Sequence, residues 1–392
     1  MLFWTSLSTQ LPVIPLYVQS LGGDTQAVGV VMGAFAIGLL LCRSLLGRLS
    51  DQRGRRLVLQ IGLVVGLVMP LYYAQVAEVP LLLLGRAVHG ISVAAFATGY
   101  GALVADLAPL ERRASIIGYM SMVNPMGLAV GSTLGGWMEQ VLGFSNVFRG
   151  AAVLAMLGLL LTLRLPVSRP EWGSRPAGSP SFFEVLWQQR VRTLALVLFM
   201  IGMIFGNLSA FLPLAVKNSR LDFNPGLFYL MAAIAGVVMR LATAKLGDRF
   251  GRGLFVSAGL CFYVASMVVL FYARTVPEFL IAGSLEGMGA GIALPAIMAL
   301  IADRSCRNER GQMFGLSWMG FDLGLAVAAP TMGGLIRWIG LAHGFLLMAG
   351  LGLAGLILFC TQSNADWRRS LQFAAGRGKD IYALEGTATL GG

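Results

Sequence analysis

The chain has 392 residues, of which 57% are hydrophobic and 12% charged, with 51 glycines. The charged share is about half that of a soluble domain, which excludes a disordered chain, a disulfide-stapled secreted domain and an ordinary water-soluble enzyme. The net charge of +11 would hint at nucleic acid in a soluble protein, and here the placement of the cations decides its meaning.

A bilayer-spanning helix uses about 20 apolar residues, and polar turns cut the chain into twelve such runs. The predicted spans are 1–20, 25–46, 57–77, 80–105, 114–138, 146–166, 192–216, 225–246, 254–275, 277–302, 311–338 and 341–361. The first begins without a basic region and lacks a small-residue cleavage site, so it reads as a retained helix. The polar segment 167–191, punctuated by Pro170, Gly173, Pro176, Gly178 and Pro180, reads as a linker. It separates a bundle over 1–166 from a second over 192–361, and 362–392 reads as a polar, poorly ordered tail. The expected fold is an all-α membrane protein with twelve transmembrane helices in two pseudo-symmetric six-helix bundles.

With both termini on the cytoplasmic side, 21 of the 29 Lys and Arg residues fall inside and five outside. Arg43, Arg86 and Arg240 remain within spans. This bias follows the positive-inside rule and accounts for the basic balance without a nucleic-acid partner. Cys42, Cys261, Cys306 and Cys360 are scattered singly, and His89 and His343 are the only histidines. Neither a disulfide framework nor a metal site is expected, and no phosphate loop or catalytic set points to a cofactor or an enzyme.

The halves repeat one another at an offset of 197 residues. RSLLGRLSDQRGRR (43–56) aligns with RLATAKLGDRFGRG (240–253), pairing Asp51 with Asp248, Gly54 with Gly251 and Arg55 with Arg252. The same offset pairs His89-Gly90 with Glu286-Gly287, Asp106 with Asp303 and Arg113 with Arg310. At 198, Gly135-Gly136 meets Gly333-Gly334, and Asn124 meets Asp322. Internal duplication of this kind is a mark of transporters, whose site lies near the bilayer midplane between the repeats.

These residues carry a family resemblance that extends over essentially the whole chain. GRLSDQRGRR (47–56) resembles the loop signature of the major facilitator superfamily, between its second and third helices. RAVHG (86–90) resembles its Arg-x-x-x-Gly signature, and DLAPLERRASIIGYM (106–120) the segment joining helices 4 and 5. GLAVGSTLGG (127–136) resembles the helix 5 signature of the drug/proton antiporter branch, with Ser132 in place of its proline. The later copy, LAVAAPTMGG (325–334), keeps Pro330 but lacks the first two glycines. PVIP (12–15) resembles the paired prolines of drug-efflux members, although their first-helix acid is absent.

The resemblance implies alternating access, with proton-coupled export of a small organic or drug-like compound, by a monomer in the bacterial inner membrane. Uptake of a sugar or organic anion by symport is the alternative, and a non-transporting receptor or scaffold on the same fold is a rival of another class. A conformational gate is expected from Gly47, Asp51, Gly54, Arg55, Asp106, Arg112, Arg113, Asp248, Gly251 and Arg252. Gly47 would let two helices approach, and Asp51 would sit near the start of the eleventh span. Gly127, Gly131, Gly135 and Gly136, with Pro330, Gly333 and Gly334, would give small-residue faces for close packing or bending. Ionisable groups deep in a span are costly and mark function. Arg86, His89, Asn124, Glu286 and Asp322 are therefore expected to line a substrate and proton pathway, with Glu286 and Asp322 as proton carriers. Asn207, Trp318, Phe321, Tyr17 and Tyr100 are secondary cavity candidates, and Tyr72, Tyr73 and Trp338 fit an interfacial belt.

Overall fold

The computed structural model describes residues 1–109, 116, 119–165, 188–243, 250–305 and 310–383, and all regular structure among them is helical. The helices are α1 (Leu2–Thr9), α2 (Val13–Ser20), α3 (Thr25–Arg53), α4 (Arg55–Tyr73), α5 (Val79–Leu107), α6 (Val123–Leu142) and α7 (Phe144–Thr162). They continue with α8 (Gln189–Asn218), α9 (Gly226–Thr243), α10 (Arg252–Tyr272), α11 (Val276–Asp303), α12 (Arg310–Ile339), α13 (Leu341–Gln362) and α14 (Trp367–Ala374). Ten of these are long and apolar enough to cross a membrane. Their outward faces expose Leu41, Leu84, Leu241 and Trp338, as lipid-facing surfaces do.

Sequence punctuation explains the boundaries. The predicted first span is broken into α1 and α2 around Gln10–Pro12, where Pro12 lacks the amide that would continue the ladder. Asp24 caps α3 by accepting from the amide of Ala27 at 2.8 Å. Gly54 ends α3 at φ +103° and Gly251 precedes α10 at φ +82°. Both lie in the left-handed region that glycine adopts without a Cβ penalty, so each copy of the repeated loop turns sharply on its own glycine. Within the span predicted at 114–138, residues 116 and 119–121 are helical, and a break at Met122, three residues before Pro125, precedes α6. The carboxyl-terminal stretch departs from expectation: residues 363–383 hold an ordered helix and hydrogen-bonded turns, because Asn364, Asp366 and Asp380 supply caps and ion pairs.

The chain divides into two compact units. Unit 1 comprises Met1–Ser174, Gly206–Ala233 and Ala326–Leu341; unit 2 comprises Arg175–Phe205, Ile234–Leu325 and Ala342–Gly392. These units cut the chain differently from the sequential halves. The later ends of α8 and α12 and the start of α9 group with the amino-terminal helices for a local reason: backbone meets backbone at glycine. A Cβ on Gly29 would fall on the Ala329 carbonyl, one on Gly33 would lie 2.5 Å from the Pro330 ring, and one on Gly226 would strike the Ser132 carbonyl. In unit 2, α11 is held equally closely. A Cβ on Gly291 would strike the Gly236 carbonyl, and one on Gly259 would come within 2.5 Å of the Ala293 side chain.

Candidate functional site

Unit 1 contains a buried cluster built on α5. Arg86 and His89, three residues apart and so on one helical face, are 6% and 1% exposed. The Arg86 guanidinium lies over the Phe35 ring of α3, 4.5 Å from its centroid, and beside the Tyr73 hydroxyl of α4. His89 Nδ1 is 3.2 Å from the same hydroxyl, and its ring meets Phe35 edge-on at 5.7 Å. Tyr73 is fully buried and packs on Phe148 of α7. The interfacial role expected for it is therefore replaced by one inside the bundle, where its polar tip meets two basic groups. No carboxylate of unit 1 among the described residues pairs with Arg86, so a ring face and a phenol hold its charge. Its Nε is buried without a hydrogen-bond partner.

Further polar groups are buried in the same unit. Asn207 is 1% exposed, and neither its Oδ1 nor its Nδ2 has a partner. Gln10, at the break after α1, donates from Nε2 to the Ser6 carbonyl at 3.2 Å and leaves Oε1 unpartnered. Such groups are uncommon in folded proteins and are suited to a ligand's donors and acceptors. Asn124 sits exposed at the start of α6. Tyr17 donates to the Val76 carbonyl, and Tyr100 to the Met120 carbonyl at 2.9 Å, so both phenols serve backbone turns.

Unit 2 holds the two deep acids. Glu286, on the tightly packed α11, is 9% exposed and within electrostatic range of the buried Tyr263 of α10. Asp322 is 3% exposed and lies where α12 crosses α8. There a Cβ on Gly320 would strike the Ala195 carbonyl and one on Gly324 the Phe199 carbonyl. Phe321, beside Asp322, meets Phe205 at 6.0 Å and Trp318 at 5.5 Å between ring centroids.

The gate residues form a repeated pattern. Arg55 pairs with Asp51 and donates from Nε to Asp106 at 3.1 Å. In the second copy Arg252 pairs with Asp303 and donates to the Ala299 carbonyl at 2.7 Å. Arg112, Arg113 and Asp248 lie outside the described residues. Gly47 departs from its expected role: a Cβ there would meet nothing within 4 Å, because it faces away from the described neighbours.

The glycine stripes are packing faces. Gly127, Gly131 and Gly135 lie against α1, where Cβ atoms would fall 2.5 Å from the Trp4 Cβ, on the Thr5 carbonyl and on the Thr9 carbonyl. A Cβ on Gly136 would strike the Asn224 amide, one on Gly333 would lie 2.6 Å from the Thr25 carbonyl oxygen and one on Gly334 3.0 Å from Gln26 Oε1. Asp24 and Arg337 form an ion pair alongside. Nothing in the sequence singles out Tyr263, Gln10 or the Asp24–Arg337 pair, and Tyr73 reads there only as an interfacial residue.

Comparison with known proteins agrees with this architecture. The family model described as Major Facilitator Superfamily matches residues 1–272 and 226–375. The quinolone resistance protein NorA of Staphylococcus aureus (strain COL) is 23% identical over 366 residues, covering 91% of this chain and 92% of the relative. Multidrug resistance protein 1 of Bacillus subtilis (strain 168) is 26% identical over 333 residues, covering 83% and 84%. The crystal structure of the nucleoside transporter NupG superposes with a TM-score of 0.76 at 13% identity, covering 91% of this chain and 95% of that one. With the repeated loop, the glycine faces and the family match in agreement, the chain belongs to the major facilitator superfamily of multi-span membrane transporters.

Proposed function

We propose that this transporter exports a small organic or drug-like compound in exchange for protons. In this reading it acts as a monomer in the bacterial cytoplasmic membrane, with both termini inside and no cofactor. Twelve helices span the bilayer: the ten long apolar ones, the broken α1–α2 pair and α6. The drug-resistance names of the relatives support the substrate class and direction.

One observation carries the proton coupling: Glu286 is a carboxyl buried within the tightly packed α11. An acid kept from water can hold a proton in one conformation and release it in another. Each proton entering down the membrane potential supplies about 2.3 kcal/mol per 100 mV, enough to drive an uphill export step. Asp322 is the second carrier. Asn207 and Gln10 offer hydrogen bonds to an otherwise apolar substrate, a sparse polar set of the kind that orients ligands in apolar sites.

The test is flux in liposomes under an imposed pH gradient. Glu286→Gln should lose gradient-driven flux while retaining substrate exchange at equal concentrations. Full gradient-driven transport in both Glu286→Gln and Asp322→Asn would remove the carrier role.

A second reading, uptake of an organic anion by symport, is favoured by one feature: the buried Arg86 with its unpartnered Nε. Everted vesicles separate the two readings, because an antiporter dissipates an acid-inside gradient when substrate is added. Any measured flux excludes a purely scaffolding role.

A further inference from the structure

Beyond the membrane helices, unit 2 carries a folded carboxyl-terminal segment whose position is set by a buried cation. Arg304, at the end of α11, is completely buried. It donates from Nε to Asp380 at 2.7 Å, from one terminal nitrogen to the Arg190 carbonyl at 3.2 Å and from the other to the Ser363 carbonyl at 2.8 Å. Its guanidinium also faces the Tyr382 ring, 5.1 Å from the centroid. One side chain thereby ties together the start of α8, the end of α11, the end of α13 and the tail. Between Ser363 and Asp380 lies α14, capped by Asp366, which accepts from the Arg369 amide at 2.8 Å. Phe373 packs on Phe359 of α13, and the chain then turns at Gly376, whose φ is +74°.

The docked face of α14 is narrow. Ser370, Phe373 and Ala374 are buried, whereas Trp367 is 60% and Leu371 51% exposed. At 100° per residue, Trp367 and Leu371 lie i, i+4 on the flank that continues the apolar face past Ala374. Half of the apolar side of α14 is therefore covered by the bundle and half is bare. Arg368 lies over the Trp367 ring at 5.3 Å. Arg377 and Lys379 are exposed close by, and the nearby Asp380 is committed to Arg304, whereas Arg369 lies on the opposite side of the helix from Trp367 and pairs with Asp366 at 3.5 Å. A helix with a Trp–Leu edge, a flanking arginine and basic residues just beyond its end, held immediately after the last spanning helix, suits a membrane–water interface.

We propose that α14 is an interfacial foot. Trp367 and Leu371 enter the leaflet at that end of the bundle, and Arg368, aided by Arg377 and Lys379, binds the phosphates of anionic lipids. The buried Arg304–Asp380 pair holds the foot at this level. Each basic side chain near an anionic surface is worth about a fivefold gain in binding, so the foot distinguishes anionic from zwitterionic lipid.

The test is hydrogen exchange of the full-length protein in nanodiscs of phosphatidylcholine alone or with phosphatidylglycerol. Phosphatidylglycerol should slow amide exchange in 366–375 about fivefold or more while leaving 195–205 of α8 unchanged, and Arg368→Gln with Arg377→Gln should remove the difference. Trp367→Ser should raise exchange in both lipids. Equal exchange of the wild-type segment in the two lipids overturns the proposal, whatever the variants do. So does protection reproduced by inorganic phosphate over phosphatidylcholine, which would assign the arginines to soluble anions. The readout is lipid contact, so the result stands or falls independently of the transported substrate.

Discussion

The guanidinium of Arg252 meets the carboxylate of Asp303, and 197 residues earlier Arg55 meets Asp106 in the same way. Each arginine opens the helix after a left-handed glycine, and each aspartate closes or nearly closes the helix that follows. The duplication legible in the sequence is thus a duplicated ion pair, one in each unit. Both pairs are partly exposed, so their contribution to stability is small, about 0–1 kcal/mol. Their stronger effect is expected on conformational balance.

Arg55→Ala and Arg252→Ala should each lower transport by about fivefold or more, the scale of an ordinary coupling free energy, with little change in melting temperature. Asp51→Asn should act in the same direction, since Asp51 also pairs with Arg55. Initial flux rates and thermal melts on the same preparations check this. Unchanged flux in all three would leave the repeated loop with a topological role alone.

The contact of α3 with the last third of α12 is closed at glycine. At Gly33 a side chain would have to displace a rigid proline ring, and at Gly29 a backbone carbonyl. Gly33→Leu is therefore expected to cost about 1–3 kcal/mol of that packing and to favour conformations in which this end opens. Thiol labelling of Gln26→Cys should rise in the Gly33→Leu background, and substrate flux should fall. Labelling and flux equal to those of the parent would show that the contact does not gate.

Loss of the tail carboxylate leaves a buried cation without its counter-charge. Asp380→Asn should cost about 3 kcal/mol, as breaking one partner of a buried pair does, and lower the melting temperature by several degrees. Asp366→Asn, which alters an exposed cap, should cost far less, since asparagine caps about as well as aspartate. Equal melting of the two variants would argue against Arg304 as the keystone of that end.

Legibility of the site varied with the range of the interaction. The repeated loop, its glycines and the buried acids could be picked out from spacing and hydropathy alone. His89 could be flagged as unusual, but its partners Tyr73 and Phe35 could not, because they come from α4 and α3 and meet only when three helices pack. The glycines of α6 were recognisable as a packing face, yet nothing local names α1 as the surface they meet. The order of the tail is illegible in the sequence for a related reason. Its polar, glycine-bearing composition resembles a disordered end, and its order depends on Arg304, 76 residues away from Asp380.

The sequence by itself determined membrane residence, the helical spans, the duplication and the superfamily, because these follow from composition, from periodicity and from short motifs that each helix carries alone. Tertiary structure decided which side chains are neighbours: the phenol at His89, the two copies of the Arg–Asp pair, the Asp24–Arg337 link and the docked tail. In a bilayer each helix satisfies its own backbone, so chain chemistry specifies the helices while their association is left to small-residue fit and a few buried polar contacts. Those contacts join residues far apart in sequence and take their meaning only from the packed bundle.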